Sequence, residues 1–266
     1  MNDGGGMTFW EHLDVLRGSL IRMLAAAVVA GVVAFVFKDE LFGVVLAPSD
    51  SGFVTYRLLG AEPFSIQLIN TGLTEQFMTH VKVAFVAGAL IASPYILYVL
   101  FRFISPALYD NERKGVRFTF LFGTVMFYLG CLIGYSVVFP LTLRFLYTYE
   151  ISSFVTNQLS LDSYMNNFLM LIFMMGIIFE LPLVAMLMSK LGFLDRKFFS
   201  EYRRHAIVAL MFVAAVITPS SDPFTLMAVF IPIYILWELS AFLVKPAPPE
   251  DDTEEEESEK EVETLK

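Results

Sequence analysis

Two stretches of this chain, Val83–Phe101 and Phe118–Leu143, contain no charged residue. Runs of that length restrict what the chain can become. A bilayer core of about 30 Å is crossed by a helix of about 20 mostly apolar residues. Backbone groups in lipid find no water, so a spanning segment must satisfy its own N–H and C=O groups, and a helix does so within one segment. Four further apolar stretches follow the same logic. Met23–Phe37 follows Arg22, Ser163–Ser189 carries one acid, Glu180, and Ala206–Ile217 and Pro223–Trp237 are shorter. The sequence therefore predicts an all-α polytopic membrane protein with six transmembrane helices, at about 19–37, 77–101, 117–139, 163–189, 204–218 and 223–244. The last two are expected to be short. The membrane domain is expected to fill 8–245, after a flexible N-terminus over 1–7, and the first apolar run, with no small-residue cleavage site after it, does not read as a cleavable signal peptide.

Composition supports that class and narrows it. The chain is 56% hydrophobic, against about 45–50% for a soluble domain. Its net charge of −9 comes largely from one end. Of 27 acids and 18 bases, ten acids and two lysines lie in 250–266, leaving 17 and 16 for the rest. Residues 246–266, opening on Pro246-Ala247-Pro248-Pro249, read as an acidic, disordered, solvated tail. Six spans put both termini on one side. The segments on that side carry twelve Lys/Arg and the opposite segments four, which predicts cytoplasmic termini. The first outer loop, 38–82, contains Pro48, Gly52, Gly60 and Pro63 and reads as a folded cap.

Few residues stand out for chemistry. The one cysteine, Cys131, lies in an apolar run, which leaves no disulfide within the chain and no cysteine metal site. The three histidines are scattered, and there is no H-E-x-x-H, G-x-S-x-G or P-loop pattern. No enzyme activity, cofactor, metal or nucleic-acid partner is expected. Three local features remain. Thr8 and Glu11 fit a capping box that opens an amphipathic helix through Phe9, Trp10, Leu13, Leu16 and Leu20. Glu180 sits deep in the fourth span, followed by a kinking Pro182. An ionisable group there costs about 2.5–3.5 kcal/mol on insertion scales, so it faces protein or a wet cavity. Glu112 is an acid on the basic side of the membrane, where it is a candidate receptor for a positively charged ligand.

These motifs, in order, resemble the TatC family, the multispanning subunit of the twin-arginine protein translocase. The resemblance rests on His12-Leu13 with Leu16-Arg17, on Ser93-Pro94, and on Phe103-Ile104-Ser105-Pro106-Ala107-Leu108-Tyr109 with Glu112-Arg113. It continues through Tyr135-Ser136-Val137-Val138-Phe139-Pro140, Phe179-Glu180-Leu181-Pro182, and Thr218-Pro219 with Asp222-Pro223-Phe224. It implies a non-enzymatic receptor for twin-arginine signal peptides in the bacterial inner membrane. It also implies single-span partners of the TatA and TatB type, self-association in a larger complex, and export of folded proteins driven by the proton-motive force.

The resemblance assigns candidate residues. Glu112, Phe103, Arg113, Arg17 and Leu16 fall in the signal-binding region. Pro48 and Pro94 shape the outer loop and the second span, Glu180 is the polar residue of the fourth span, and Asp222 is the acid of the last outer turn. One departure matters. The family pattern has a glutamate where this chain has Val15. Glu11, four residues earlier on the same helix face, is the expected substitute carboxylate, with Asp14 about 100° away around the helix. The alternative left open by the residues themselves is a proton-coupled small-solute transporter with Glu180 as its proton site.

Overall fold

The computed structural model describes residues 9–60, 64, 66–108, 113–149, 152, 154, 157–218, 222–244 and 246. Helices dominate them. Helix α1 (Phe9–Val36) is continuous, so the amphipathic start and the first span form one rod. A cap follows, made of α2 (Lys38–Leu46), a 3-10 turn (Ala47–Ser49) and α3 (Val54–Leu58). Helix α4 (Glu75–Leu108) returns across the molecule. Then come α5 (Arg113–Ile133), a π-helical turn (Gly134–Val138) and α6 (Phe139–Thr148) as one long rod. Helices α7 (Leu161–Ile178) and α8 (Leu181–Lys190) are two halves of a broken span. A short α9 (Arg196–Glu201), α10 (Arg203–Ile217) and α11 (Pro223–Leu243) close the chain. Thr8 and the tail beyond Pro246 lie outside the described residues.

Five segments are long and apolar enough to cross a bilayer: Leu13–Val36, Glu75–Phe103, Thr119–Thr148, Leu161–Lys190 and Pro223–Leu243. Helix α10, expected as a sixth span, has 15 residues. That is about 22 Å at 1.5 Å per residue, below the apolar thickness. Helix α11, expected over 223–244, runs Pro223–Leu243, and its 21 residues reach the required length. Near its end the Glu238 carboxylate accepts hydrogen bonds from Arg203 and Tyr234, both at 2.8 Å.

Helix α7 is the hub, packing against α4 and α5, while α11 packs on α8 and α10. The core gathers Val83, Tyr164, Met165, Met175, Ile217 and Ile233, all 1% exposed or less. Helix α1 lies outside this hub and packs along α4. Its contact is built from small residues: Gly31 faces Ala84, Gly88 faces Gly31 and Ala27, and Ala34 and Ala92 are buried on the same two helices. A Cβ on Gly88 would fall 2.3 Å from the Gly31 nitrogen and 2.4 Å from its Cα. Such close backbone approach is how helices associate where lipid offers no hydrophobic driving force. The outer face of α1, including Val29, Val32 and Val36, is exposed and apolar, as lipid contact requires.

The cap is fastened by tyrosines. Tyr164 and Tyr135 donate to the carbonyls of Val45 and Val44, each at 2.9 Å. Tyr56 is 1% exposed, and its hydroxyl reaches the carbonyls of Pro48 and Pro140 at 2.9 and 3.2 Å. Burial raises the Tyr56 hydroxyl above its ordinary range, so it stays a donor. A parallel two-residue pairing, Leu68 with Leu159 and Ile69 with Ser160, joins the two outer loops. The Glu75 carboxylate locks the same corner. It accepts from the Gly72 and Thr71 nitrogens and, on its other oxygen, from the Asp162 nitrogen at 2.8 Å. Lys82 pairs with Asp162 at 2.8 Å beside it.

Two outcomes follow for stability. Gly88→Val forces α1 away from α4, so its thermal unfolding midpoint in detergent should fall, by the equivalent of about 1–3 kcal/mol for overpacking. Tyr164→Phe removes the buried donor to Val45 and should cost about 1–3 kcal/mol. Limited proteolysis of the cap loop should accelerate in that variant. An unchanged cleavage rate would mean the tyrosine does not hold the cap.

Candidate functional site

Glu180 is placed by a proline. Pro182 has no N–H to donate to the Ile178 carbonyl, so α7 stops at Ile178 and α8 begins at Leu181. Phe179 and Glu180 form the turn between them, and the break expected at Pro182 is present. The Glu180 side chain points at α5. A Cβ on Gly123 would lie 3.1 Å from Glu180 Oε2, so the glycine makes room for the carboxyl. Leu183 and Phe101 close the same spot. Both carboxyl oxygens are buried with no hydrogen-bond partner among the described residues. The acid stands ten residues from Lys190, about 15 Å from the end of the span.

A second location lies where α1 begins and α4 ends. A cavity of about 220 Å³ opens there between the two helices. Helix α1 lines it with Val15, Ser19 and Arg22; α4 adds Tyr95, Tyr98, Val99, Arg102 and Phe103. Position 15 and Phe103, 88 residues apart in sequence, thus share one cavity. Leu16 is half-buried, and Asp14 and Arg17 are exposed on α1 outside the cavity lining. Glu11 lies on α1 one turn before Val15, and the Arg113 backbone opens α5. Glu112 falls outside the described residues.

A third location, a cavity of about 530 Å³, is an apolar groove between α2, α4, α5 and α7. Leu41, Val86, Leu90, Tyr128, Leu132 and Ile172 are among its walls, and Glu180 is not. Pro94 shapes this wall. A proline at 94 leaves the Leu90 carbonyl without its helical donor. Ser93 Oγ at 2.7 Å and Tyr128 Oη at 3.0 Å donate to it instead. Pro48 is buried in the cap, where its carbonyl receives Tyr56. Asp222 caps α11 by accepting from the Thr225 nitrogen at 2.7 Å, an ordinary N-cap role.

Sequence reasoning left out Ser19, Arg22, Tyr95, Tyr98 and Arg102. A signal was available for all five. Positions 15, 19 and 22 are spaced i, i+4 and i+7, as are 95, 98 and 102 at i, i+3 and i+7, so each set shares a helix face. What no spacing reveals is that these two faces meet.

Long apolar helices, lipid-directed apolar surface and a buried unpaired acid together define a polytopic helical membrane protein. Residues 11–232 match the family profile of the Sec-independent protein translocase protein TatC. The chain belongs to the TatC family, and it is a subunit of the twin-arginine translocase. It is 34% identical to the TatC protein of Blattabacterium sp. subsp. Periplaneta americana over 257 residues, covering 91% of this chain and 96% of that protein. It is also 34% identical to the Aquifex aeolicus TatC protein over 242 residues, covering 91% and 96%. Two crystal structures of the twin-arginine translocase receptor TatC share its fold. One superposes with a TM-score of 0.74 at 33% identity, covering 87% of this chain and 97% of that one. The other, in the detergent DDM, gives 0.76 at 32%, covering 88% and 99%.

The buried acid at 180 opposes stability. Glu180→Leu removes an unpaired polar group worth about 1–3 kcal/mol, so the thermal midpoint in micelles should rise. A fall would show that the carboxyl is held by a favourable partner.

Proposed function

We propose that this chain is the signal-peptide receptor of the translocase. It binds twin-arginine signal peptides at its cytoplasmic face and, with TatA- and TatB-type single-span partners, exports folded proteins using the proton-motive force. The observation that carries the reading is the cavity shared by Val15 and Phe103, directly before the segment that ends in Glu112. Two guanidiniums are best matched by carboxylates, because charge-assisted bidentate hydrogen bonds add geometry to charge. Glu112 supplies one carboxylate, with Phe103, Leu16, Arg17 and Arg113 around it. Glu11, on the face of α1 that leads to Val15, supplies the second, with Asp14 beside it.

The hydrophobic stretch of the signal then lies along the apolar groove of α2, α4, α5 and α7. Its wall is almost free of polar surface, which suits an unpartnered apolar segment. Glu180, in its break between α7 and α8, is the polar residue that acts during passage of cargo. Both termini are cytoplasmic in the inner membrane, supported by the excess of Lys/Arg on that side. Helix α10 makes the sixth crossing. At 15 residues it does so in a locally thinned bilayer. Single-span partners pack on the exposed outer edges near α10 and α11, and several copies of the chain join in the active complex.

The test is direct. A fluorescent twin-arginine peptide should bind the purified protein, and its Lys-Lys counterpart should bind about ten-fold more weakly, because lysine cannot form the bidentate pair. Glu112→Ala should abolish the difference. Val15→Glu should tighten binding, since position 15 lines the cavity. Equal binding of both peptides with no effect of Glu112→Ala would defeat the receptor reading.

A further inference from the structure

The cap turns an apolar face away from the bundle. In α3, Val54 and Leu58 share one helix face and are 64% and 83% exposed, and Leu59 beside them is 56% exposed. Tyr56 points the other way, buried and bonded to the Pro48 and Pro140 carbonyls.

Depth decides what covers that face. On α4, Lys82 and Arg102 stand 20 residues apart, which is about 30 Å, the thickness of the apolar layer. Lys82 pairs with Asp162 of α7, so this pair marks the cap-side boundary. Phe139 meets Tyr164 and Phe168 at ring distances of 5.2 and 5.0 Å. Those two rings stand about 3 and 9 Å deeper than Asp162 along α7. Helix α3 is tied to the same level, through Tyr56 to Pro140 and through Thr55 Oγ1 to the Ser136 carbonyl, one residue after and one turn below Phe139. The rod of α5 and α6 agrees. Its uncharged run ends at Arg144, and Pro140 and Ser136 lie about 6 and 12 Å inside that charge.

The polar groups of the segment suit that depth. Pro140 has no N–H for the Ser136 carbonyl, and Thr55 supplies the donor. In the turn that leads into α3, the Asp50 and Phe53 nitrogens donate to the Ala47 and Asp50 carbonyls, and the Gly52 nitrogen donates to Asp50 Oδ1 at 2.9 Å. Non-helical backbone at membrane level requires such internal partners. Arg57 reaches back to the same turn: a Cβ on Gly52 would lie 3.5 Å from both Arg57 Nη2 and Asp50 Oδ1. A long basic side chain beside apolar residues carries its charge towards the headgroups.

We propose that α3 is inserted in the cap-side leaflet of the bilayer, with Val54, Leu58 and Leu59 against lipid acyl chains. The segment between the first two spans is then re-entrant, and the cap is an outer-leaflet wedge held to the α5–α6 rod, not a purely aqueous lid. Lipid contact at α3 does not depend on signal-peptide binding, and it is tested without any peptide.

The experiment uses the full chain with Cys131→Ala, reconstituted in vesicles of phosphatidylglycerol and phosphatidylcholine. Val54→Cys and Leu58→Cys each carry an environment-sensitive fluorophore. Leu73→Cys, at a fully exposed position just before α4, is the aqueous control. At 54 and 58, lipid spin-labelled near the headgroup should quench more than aqueous iodide, and more than lipid spin-labelled at the chain end. At 73 the order of lipid and iodide should reverse, and emission at 58 should lie to the blue of that at 73. If Leu58→Cys fails to fold, Val54→Cys decides the question. Iodide quenching at 54 and 58 as strong as at 73 would put α3 in water and overturn the proposal. Shielding from both quenchers would mean that protein, such as a second copy of the chain, covers the face, and would overturn it as well.

Discussion

Every proline inside a membrane helix frees a carbonyl, and in lipid that carbonyl must find another donor. Much of this structure follows from that demand. Pro94 frees Leu90, and Ser93 together with Tyr128 of the neighbouring helix answers it, tying α4 to α5. Pro140 follows a π-helical turn, and there Thr55 of the cap donates to the Ser136 carbonyl. Pro182 is not compensated in the same way; the helix breaks instead, and the break delivers Glu180. Pro94, Pro140 and Pro182 thus mark where helices are stapled to their neighbours and where a polar group enters the bundle.

The second constraint is approach distance. Residues without a side chain let α1 and α4 come into backbone contact at Gly31 and Gly88, and let Glu180 reach α5 at Gly123. Helix α1 is otherwise peripheral, so the small-residue seam is what keeps it against the bundle. The same seam sets where the two helices diverge, and the cavity with Arg22 and Arg102 opens at that end. Close packing in one half and separation in the other are consequences of one crossing.

The outer end is held differently. Three tyrosine hydroxyls, the Glu75 carboxylate and a two-residue strand pairing replace close packing there. These are polar bonds at the edge of the apolar layer, where water competes less than in bulk and each bond counts for more. They link segments 80 to 120 residues apart, such as Tyr164 with Val45 and Asp162 with Glu75. The cap is therefore part of the bundle and not a loop laid over it.

The sequence by itself determined the class of fold, because uncharged runs of about 20 residues leave the backbone few other ways to satisfy itself. The interruption at Pro182 was legible as well, since it is a local consequence of residue type. The pairing of Glu238 was not legible, because Arg203 meets it only in space. The same holds for the candidate site. Val15 and Phe103 were each visible, but their meeting, and the arrival of Arg22 and Arg102 beside them, depend on the crossing of α1 and α4. Helical spacing tells which residues share a face; only tertiary packing tells which faces meet.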